Sequence, residues 1–337
     1  MTYAWAFERS IHSVRLMADF AAEAGITYHN ILKGTGLDQQ QLLDPNMVVS
    51  GHQELQLIHN LVELFGDRPT LGLEVGTRYH FTTFGPLGMA LMSSASIREA
   101  LDLALTYFSL TFAFTRFLVS DTNEGTRIEI EEEGIPSSVR QFIIERDTAA
   151  LITVQRDLVQ SNFCQYLAFS FEPTGNLQAY EKLFGVMPEF GRSKSFVLLD
   201  AQKINQKLQM ANELVLHTAE EQCRQILDKR QSQKKFINLV QQQLMGVRGE
   251  MPSMEMVADR LHLNARTLRR HLASEEMTFI QIREEVRQVL AEQYLALSKV
   301  SIEQIAEWLG YAEPASFIHA YKRWHGKTPH AMRLVQK

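Results

Sequence analysis

The stretch "SIEQIAEWLGYAEPASFIHAYKRWHGKTP" (residues 301–329) has the pattern of two short helices joined by a tight turn. Ser301, with Gln304 three residues later, forms a capping box ahead of an apolar stripe at helical spacing. Gly310 can adopt the left-handed conformation that ends a helix, and Pro314 suits the first turn of the next one. The stretch therefore predicts a helix-turn-helix.

The second of these helices is predicted to be apolar on one face and polar and basic on the other. The apolar face is predicted from Phe317, Ala320, Tyr321 and Trp324. The candidate DNA contacts on the rest of the helix are Ala315, Ser316, His319, Lys322 and Arg323. The major groove of DNA admits a helix of this width. Taken alone, the stretch also fits a helical hairpin with a solvated basic face.

The upstream stretch "SMEMVADRLHLNARTLRRHLASEEMTF" (253–279) repeats the design and argues against that alternative. Val257, Ala258 and Leu261 mark a first helix, and an asparagine can cap the second. The candidate DNA contacts are Asn264, Arg266, Thr267, Arg269 and Arg270. An arginine on this exposed face can donate two hydrogen bonds to guanine or bind a phosphate.

An amphipathic helix, "FIQIREEVRQVLAEQYLAL" (279–297), is predicted between the two motifs, after a cap at Thr278. At about 1.5 Å per residue it is roughly 28 Å long. Recognition helices that enter successive major grooves lie roughly 34 Å apart. A connector of this length can place both helices on one face of the duplex.

These two motifs resemble the DNA-binding domain of the AraC/XylS family of bacterial transcription regulators. The resemblance rests on "VADRLHLNARTLRRHL" and "IAEWLGYAEPASFIHAYKRWHGKTP". It implies an all-α domain with two helix-turn-helix units joined by a central helix. The chain departs from the family at His262, where the family often has glycine, and at His319, where arginine is frequent. We therefore expect the first recognition helix to supply most of the sequence specificity and the second mainly anchoring.

The N-terminal part mixes helices and strands without regular alternation, which predicts an α+β domain with an antiparallel sheet. Strands at 112–120 and 126–133 are predicted to form a hairpin. Two further strands are predicted at 166–173 and 195–200. The segment "YHFTTFGPLGMALMSSASIREAL" resembles the regulatory domain of one branch of the same family. That branch has a mixed α/β domain in place of the sugar-binding barrel, and the resemblance implies no particular ligand.

Helical spacing of apolar residues from about 205 to 230, together with the charge distribution, predicts three parts: a regulatory domain (1–205), a linker helix (206–230) and a DNA-binding domain (231–337). From residue 230 onward there are 16 Lys/Arg against 11 Asp/Glu, a balance of +5, whereas the preceding residues have a balance of −10. A basic part on an acidic chain indicates a polyanionic partner for that part. The apolar stripe of the linker helix fits either a dimer contact or packing on its own domain.

A small-molecule effector is predicted to bind an apolar pocket in the N-terminal domain. The candidate residues are Arg78, Tyr107, Phe108, Phe112, Phe114 and Arg116. The aromatic residues would enclose an acyl or aromatic group, and an arginine would pair with a carboxylate. Ordinary core packing explains the same aromatic residues more simply.

The composition excludes several classes of protein. No apolar run is long enough to span a membrane, no secretory signal is apparent, and the two cysteines are far apart in sequence. We therefore expect a cytoplasmic protein without a metal site, a cofactor or catalytic activity. An enzyme fused to a DNA-binding domain, as in alkyl-DNA repair proteins, would need a cluster of reactive or zinc-binding cysteines.

The sequence as a whole predicts a regulator, most simply an activator, that binds double-stranded DNA and is gated by an effector, a carboxylate or acyl compound. RNA polymerase and a second copy of the chain are the other expected partners. The alternative is a DNA-binding regulator without an effector, whose N-terminal domain serves dimerisation or partner contact.

Overall fold

The computed structural model describes residues 8–66, 68–159, 161–173, 175, 177–245, 251–275, 277–296, 300–325 and 328–335. The chain divides into two compact units between Ile226 and Leu227. This boundary lies within a helix that spans Glu213–Met245, so the helix expected at 206–230 begins later and extends further.

The late start of this helix has a local cause. The backbone N–H groups of Leu208 and Asn212 donate to the carbonyls of Ala95 and Ser93, at 2.9 Å each. This pairing holds the residues before position 213 in a non-helical conformation. The side chain of Asn212 then accepts from the N–H of Val215 at 3.2 Å and caps the first turn of the helix.

The N-terminal unit combines helices with two antiparallel sheets. Its helices are α1 His12–Glu23, α2 Tyr28–Ile31, α3 Gly51–Phe65, α4 Leu71–Gly76, α5 Pro86–Ser93, α6 Ile97–Thr106, α7 Ser137–Leu158, α8 Leu177–Phe184 and the start of α9 Glu213–Met245. Its strands are β1 Glu8–Ser10, β2 Val48–Ser50, β3 Arg116–Thr122, β4 Gly125–Glu131, β5 Cys164–Ala168 and β6 Ser195–Leu199. β1 pairs with β2, and the larger sheet has the order β3-β4-β6-β5.

The predicted hairpin is present, but β3 begins at Arg116 and not at position 112. The backbone groups of residues 112–115 bind buried side chains and are therefore not available to a sheet ladder. The Phe112 carbonyl accepts from Arg9 and Arg146, each at 2.9 Å, and the N–H groups of Phe114 and Thr115 donate to a buried carboxylate. Residues 112–115, predicted as the start of the strand, therefore form a loop that is held by these hydrogen bonds.

Helix α7 lies between two hydrophobic clusters of the N-terminal unit. Val139, Phe142 and Ile143 belong to the cluster formed with α1 and α3. Ile144 and Ile152 belong to the cluster that covers the inner face of the larger sheet. Because α7 is buried on both sides, any polar residue in its middle must find partners within the protein.

The C-terminal unit is all-helical and has one hydrophobic cluster. Beyond the end of α9, its helices are α10 Met254–Arg260, α11 Ala265–Ser274, α12 Phe279–Ala296, α13 Ile302–Trp308, α14 Pro314–His325 and α15 Pro329–Val335. The cluster includes residues of α9 to α14, so both helix-turn-helix units and the connecting helix share one core. The predicted fold class, an α+β domain and an all-α domain with two such units, is confirmed.

Candidate nucleic-acid interface and effector cavity

The first helix-turn-helix presents three arginines on one exposed face. Asn264 caps α11 by accepting from the N–H of Thr267 at 2.8 Å, which uses its side-chain oxygen within the protein. Leu268 and Leu272 of this helix are buried. The exposed residues on the opposite side are Arg266, Arg269 and Arg270.

These guanidinium groups are not neutralised by ion pairs with the described part of the chain. Among the residues that the structure describes, none places a carboxylate within 4.0 Å of Arg266, Arg269 or Arg270. The pKa of Glu255 on α10 is lowered, first by hydrogen bonds from the backbone and from Ser253 and then, to a smaller extent, by the positive charge of Arg269. The arginines therefore form a positive surface with donors available to an external acceptor.

The second helix-turn-helix has a less basic exposed face. The exposed candidate residues of α14 are Ala315, Ser316, His319, Lys322 and Arg323. Phe317, Ala320 and Tyr321 are buried on the other side. Arg323 Nη2 lies 3.5 Å from Glu284 Oε2 on α12, so a carboxylate already competes for this arginine.

Arg287 fixes the connecting helix to the turn of the second motif. Its Nε donates to the Leu309 carbonyl at 2.8 Å, and its Nη2 donates to the Gly310 carbonyl at 2.9 Å. Its Nη1 donates to Glu284 at 2.8 Å, and its guanidinium lies 4.4 Å from the centroid of the Tyr311 ring. Our sequence analysis did not single out Arg287, although a lone arginine on the apolar side of an amphipathic helix is a signal for such a role.

The two turns need the same backbone conformation but have different residues. His262 has φ +56° and Gly310 has φ +70°. A Cβ on Gly310 would lie 2.8 Å from Cβ of Met251, which is closer than side-chain atoms normally approach. At position 262, histidine has a left-handed backbone conformation. Glycine adopts this conformation without steric cost, whereas a residue with a Cβ adopts it at a cost.

The difference between the turns predicts opposite effects of two substitutions. Gly310→Ala is expected to lower the free energy of unfolding of the C-terminal unit by about 1–2 kcal/mol, because of the left-handed φ and the contact with Met251. His262→Gly is expected to leave it unchanged or raise it by up to about 1 kcal/mol. Urea unfolding of the full chain, followed through the tryptophans at 308 and 324, measures both effects. Equal destabilisation by both changes would contradict the prediction.

The N-terminal unit contains a cavity between α5, α6, α7 and the loop before β3. It holds about 660 Å³ of space not filled by protein atoms, including solvent at its mouth. Its apolar lining residues are Phe84, Leu87, Leu91, Leu101, Ala104, Leu105, Phe108, Phe112, Ala113, Phe117, Ala150, Leu151 and Val154. Its polar lining residues are Tyr79, Thr111, Arg146 and Asp147.

Of the six predicted effector residues, only Phe108 and Phe112 line this cavity. Tyr107 is buried, and its hydroxyl donates to Glu220 at 3.3 Å. Phe114 is a core residue, with the Arg9 guanidinium 4.0 Å from its ring centroid.

The two arginines expected to bind a ligand carboxylate lie outside the cavity. Arg78 donates to Glu23 through two hydrogen bonds of 2.7 and 3.1 Å at the surface. The Arg116 side chain is 69% exposed and lies 3.9 Å from Glu131. Both guanidinium groups are paired at the surface and do not line the cavity, so neither is placed to bind a carboxylate in it.

The charged residues at the cavity belong to a buried network that the sequence analysis missed. Arg146 donates to Asp147 Oδ1 through Nε at 2.9 Å and Nη2 at 2.6 Å. Burial lowers the pKa of Arg146, but Asp147, Tyr79 and Glu54 outweigh burial, and the net pKa is raised. The triplet "ERD" (145–147) within the apolar run "FIIERDTAALITV" is the signal that could have revealed the network.

The two cysteines are poor candidates for an oxidant sensor. Both are buried and free. Burial raises the pKa of Cys164 to about 12 and that of Cys223 to about 11. Thiolate, the reactive form, is therefore scarce at neutral pH.

Comparison with known proteins identifies the family. Residues 25–208, more than half of the chain, match the model of the arabinose-binding domain of AraC transcription regulators, in its N-terminal position. The chain belongs to the AraC family of transcription regulators. Residues 257–334 of this AraC-family chain match the model of a helix-turn-helix domain.

Relatives of this AraC-family chain align over nearly its whole length. An uncharacterized HTH-type transcriptional regulator of Mycobacterium tuberculosis is 29% identical over 324 residues, which are 95% of this chain and 94% of that protein. The ornithine utilization regulator of Pseudomonas aeruginosa is 29% identical over 315 residues, 93% of this chain and 92% of that protein. The crystal structure of the transcriptional regulator CdpR from Pseudomonas aeruginosa is 25% identical, with a TM-score of 0.48, and the match covers 96% of this chain and 98% of that one.

The AraC-family chain is therefore a DNA-binding helix-turn-helix transcription regulator. In the described ranges, no helix is both long and apolar enough to cross a membrane.

Proposed function

We propose that α11 and α14 enter successive major grooves of the operator and that α11 reads most of the sequence. The support is the exposed face of Arg266, Arg269 and Arg270, which have donors for guanine. The exposed face of α14 has small and weakly basic residues, and its Arg323 already lies close to Glu284. We therefore assign α14 mainly to phosphate contact. The connecting helix, 18 residues long, spans about 27 Å, near the groove spacing.

Substitution of the arginines tests this assignment. Selection of bound sequences from a random DNA library with the full-length protein would first define the operator. Arg269→Ala or Arg270→Ala is then expected to cost about 1–3 kcal/mol of operator binding and to relax specificity at one base position. Lys322→Ala, the control in α14, is expected to weaken binding equally for all operator variants and to reduce its salt dependence. A uniform loss for both arginine variants would contradict base readout.

We further propose that DNA binding is gated by a small molecule in the cavity of the N-terminal unit. The observation that carries this proposal is the position of the cavity along α7, which has one hydrophobic cluster on each side. A molecule bound there would contact residues of both clusters and could change their packing. The ornithine utilization regulator is a relative named for a metabolic role, which also favours a metabolite as effector.

Gating can be tested without knowing the effector. The full-length protein is screened by thermal unfolding against a library of microbial metabolites, and operator Kd is measured for each hit. A metabolite that raises Tm and changes operator Kd at least several-fold is the expected result. Hits that leave operator Kd unchanged would favour the alternative, in which the N-terminal domain serves dimerisation or partner contact.

Activation through RNA polymerase and binding as a homodimer complete the proposal. Membership of the AraC family supports the first, and two neighbouring exposed apolar side chains, Met210 (63% exposed) and Leu214 (82% exposed), support a contact between copies. Transcription in vitro from an operator-bearing promoter, with sedimentation of the protein, tests both.

A further inference from the structure

The polar residues of the cavity already have partners within the protein. Tyr79 and Ser13 share a hydrogen bond of 2.7 Å, and Thr111 donates to the Phe108 carbonyl at 2.7 Å. Asp147 Oδ2 accepts from the N–H groups of Phe114 and Thr115, in the loop before β3, and from the hydroxyl of Thr115, each at 2.9 Å. Among the described residues, the lining therefore retains few groups for a ligand with many hydroxyls.

The charges next to the cavity are also balanced. Arg9 and Arg146 are buried together with Glu54 and Asp147, two guanidinium groups with two carboxylates. Arg146 Nη1 lies 3.5 Å from Glu54 Oε1, and Arg9 lies 3.5 Å from Glu54 Oε2. A carboxylate on a ligand would add a negative charge for which this network has no unpaired cation, at a high desolvation cost.

The remaining nitrogen of the Arg146 guanidinium, Nη1, is directed at Glu54 and not at a ligand, with Glu54 Oε1 3.5 Å away. Arg146 Nη1 is buried and has no hydrogen-bond partner in the described part of the chain. The remaining lining is almost entirely aliphatic and aromatic carbon.

We propose that the cavity binds an uncharged, largely apolar small molecule, such as a medium-chain alcohol, ester or ketone. This ligand class differs from the sugar in the name of the matched family model and from a free carboxylate. The proposal rests on the effector site proposed above. It narrows the class of effector by the charge and hydrogen bonds of the buried network.

Matched probes test the ligand class. 1-Octanol, octanoate and L-arabinose are titrated into the full-length protein at pH 7.5, where octanoate is ionised, and Kd is measured by calorimetry. We expect octanol to bind at least about tenfold more tightly than octanoate, and arabinose not to bind in the cavity. Octanoate binding as tightly as octanol would overturn the proposal, and so would the absence of octanol binding up to its solubility limit.

Cavity-filling variants locate the binding. Ala150→Phe on α7 and Ala104→Phe on α6 fill the cavity and should abolish octanol binding, with folding verified by thermal unfolding. Ala179→Phe on α8, a half-buried alanine outside the lining, is the matched control and should retain binding. Octanol binding that survives both cavity variants would overturn the site. Arabinose binding that both variants abolish would overturn the ligand class.

The operator affinity, measured with each probe, separates this proposal from gating itself. Octanol bound in the cavity without any change in operator Kd would uphold the ligand class and count against gating. Octanoate that binds in the cavity more tightly than octanol and changes operator Kd would uphold gating and overturn the ligand class.

Discussion

Replacing Asp147 by alanine is expected to lower the free energy of unfolding of the N-terminal unit by about 3–5 kcal/mol. Asp147 is 4% exposed and accepts both from Arg146 and from the backbone after Phe112. Its removal would leave Arg146, which is 1% exposed, with a poorly compensated charge and two backbone N–H groups without a partner. Hydrogen exchange in urea, followed by mass spectrometry on peptides from α7 of the full chain, measures the loss in this unit.

The control is an acidic residue at the surface of the same unit. Asp102 on α6 lies 3.3 Å from Arg98, and its side chain is 56% exposed. Exposed ion pairs of this kind contribute little, so Asp102→Ala should have a much smaller effect. If the two variants lost the same stability, the buried network would not have the structural role assigned to it. Asp147→Asn, which keeps an acceptor for the N–H groups but loses the charge, should fall between them.

The local signals in the sequence predicted the C-terminal unit well, because that unit follows from capping and spacing. Ser301 and Gln304 form the predicted capping box, and Asn264 caps α11 as expected. Gly310 has the predicted left-handed φ, and His262, the departure from the family pattern, has the same φ. Each of these features depends on residues that are only a few positions apart in the chain, so it can be predicted from one sequence.

The N-terminal unit was less predictable because its decisive contacts join residues far apart in the chain. The hairpin was predicted from its turn, but the start of β3 was not, since Arg9 and Arg146 bind the residues before it. At the start of α6, Ser96 and Glu99 have the sequence spacing of a capping box, and Ser96 accepts from the N–H of Glu99. The Glu99 side chain, however, binds the N–H of Ala95 and not that of Ser96.

The same reason explains the incomplete prediction of the cavity. Aromatic density around residues 107–117 correctly indicated Phe108 and Phe112 as lining residues. The other walls come from α5, α6 and α7, whose approach to this segment is a tertiary property. The arginine at the cavity, Arg146, could not be distinguished by charge alone from Arg78 and Arg116, which remain at the surface.

In the C-terminal unit, Arg287→Met is expected to lower the free energy of unfolding by about 2–4 kcal/mol. Methionine keeps much of the apolar stem, but it leaves the carbonyls of Leu309 and Gly310 without their donor. Because Arg287 joins α12 to the turn of the second motif, the variant should also weaken operator binding, measured where it is still folded. Arg287→Lys should recover only part of the loss, since one ammonium group cannot reproduce the planar fork of donors.

Arg283, one turn earlier on the same helix, provides the matched control. It has no hydrogen bond to another described side chain or carbonyl, and its Nε is buried without a partner. Burial, followed by repulsion from Arg287, lowers its pKa, so its charge is not well stabilised where it lies. Arg283→Met should therefore change stability by less than about 1 kcal/mol in either direction. A loss equal to that of Arg287→Met would mean that any charge removed from α12 has this effect, and that the hydrogen bonds from Arg287 to the turn do not account for its contribution to stability.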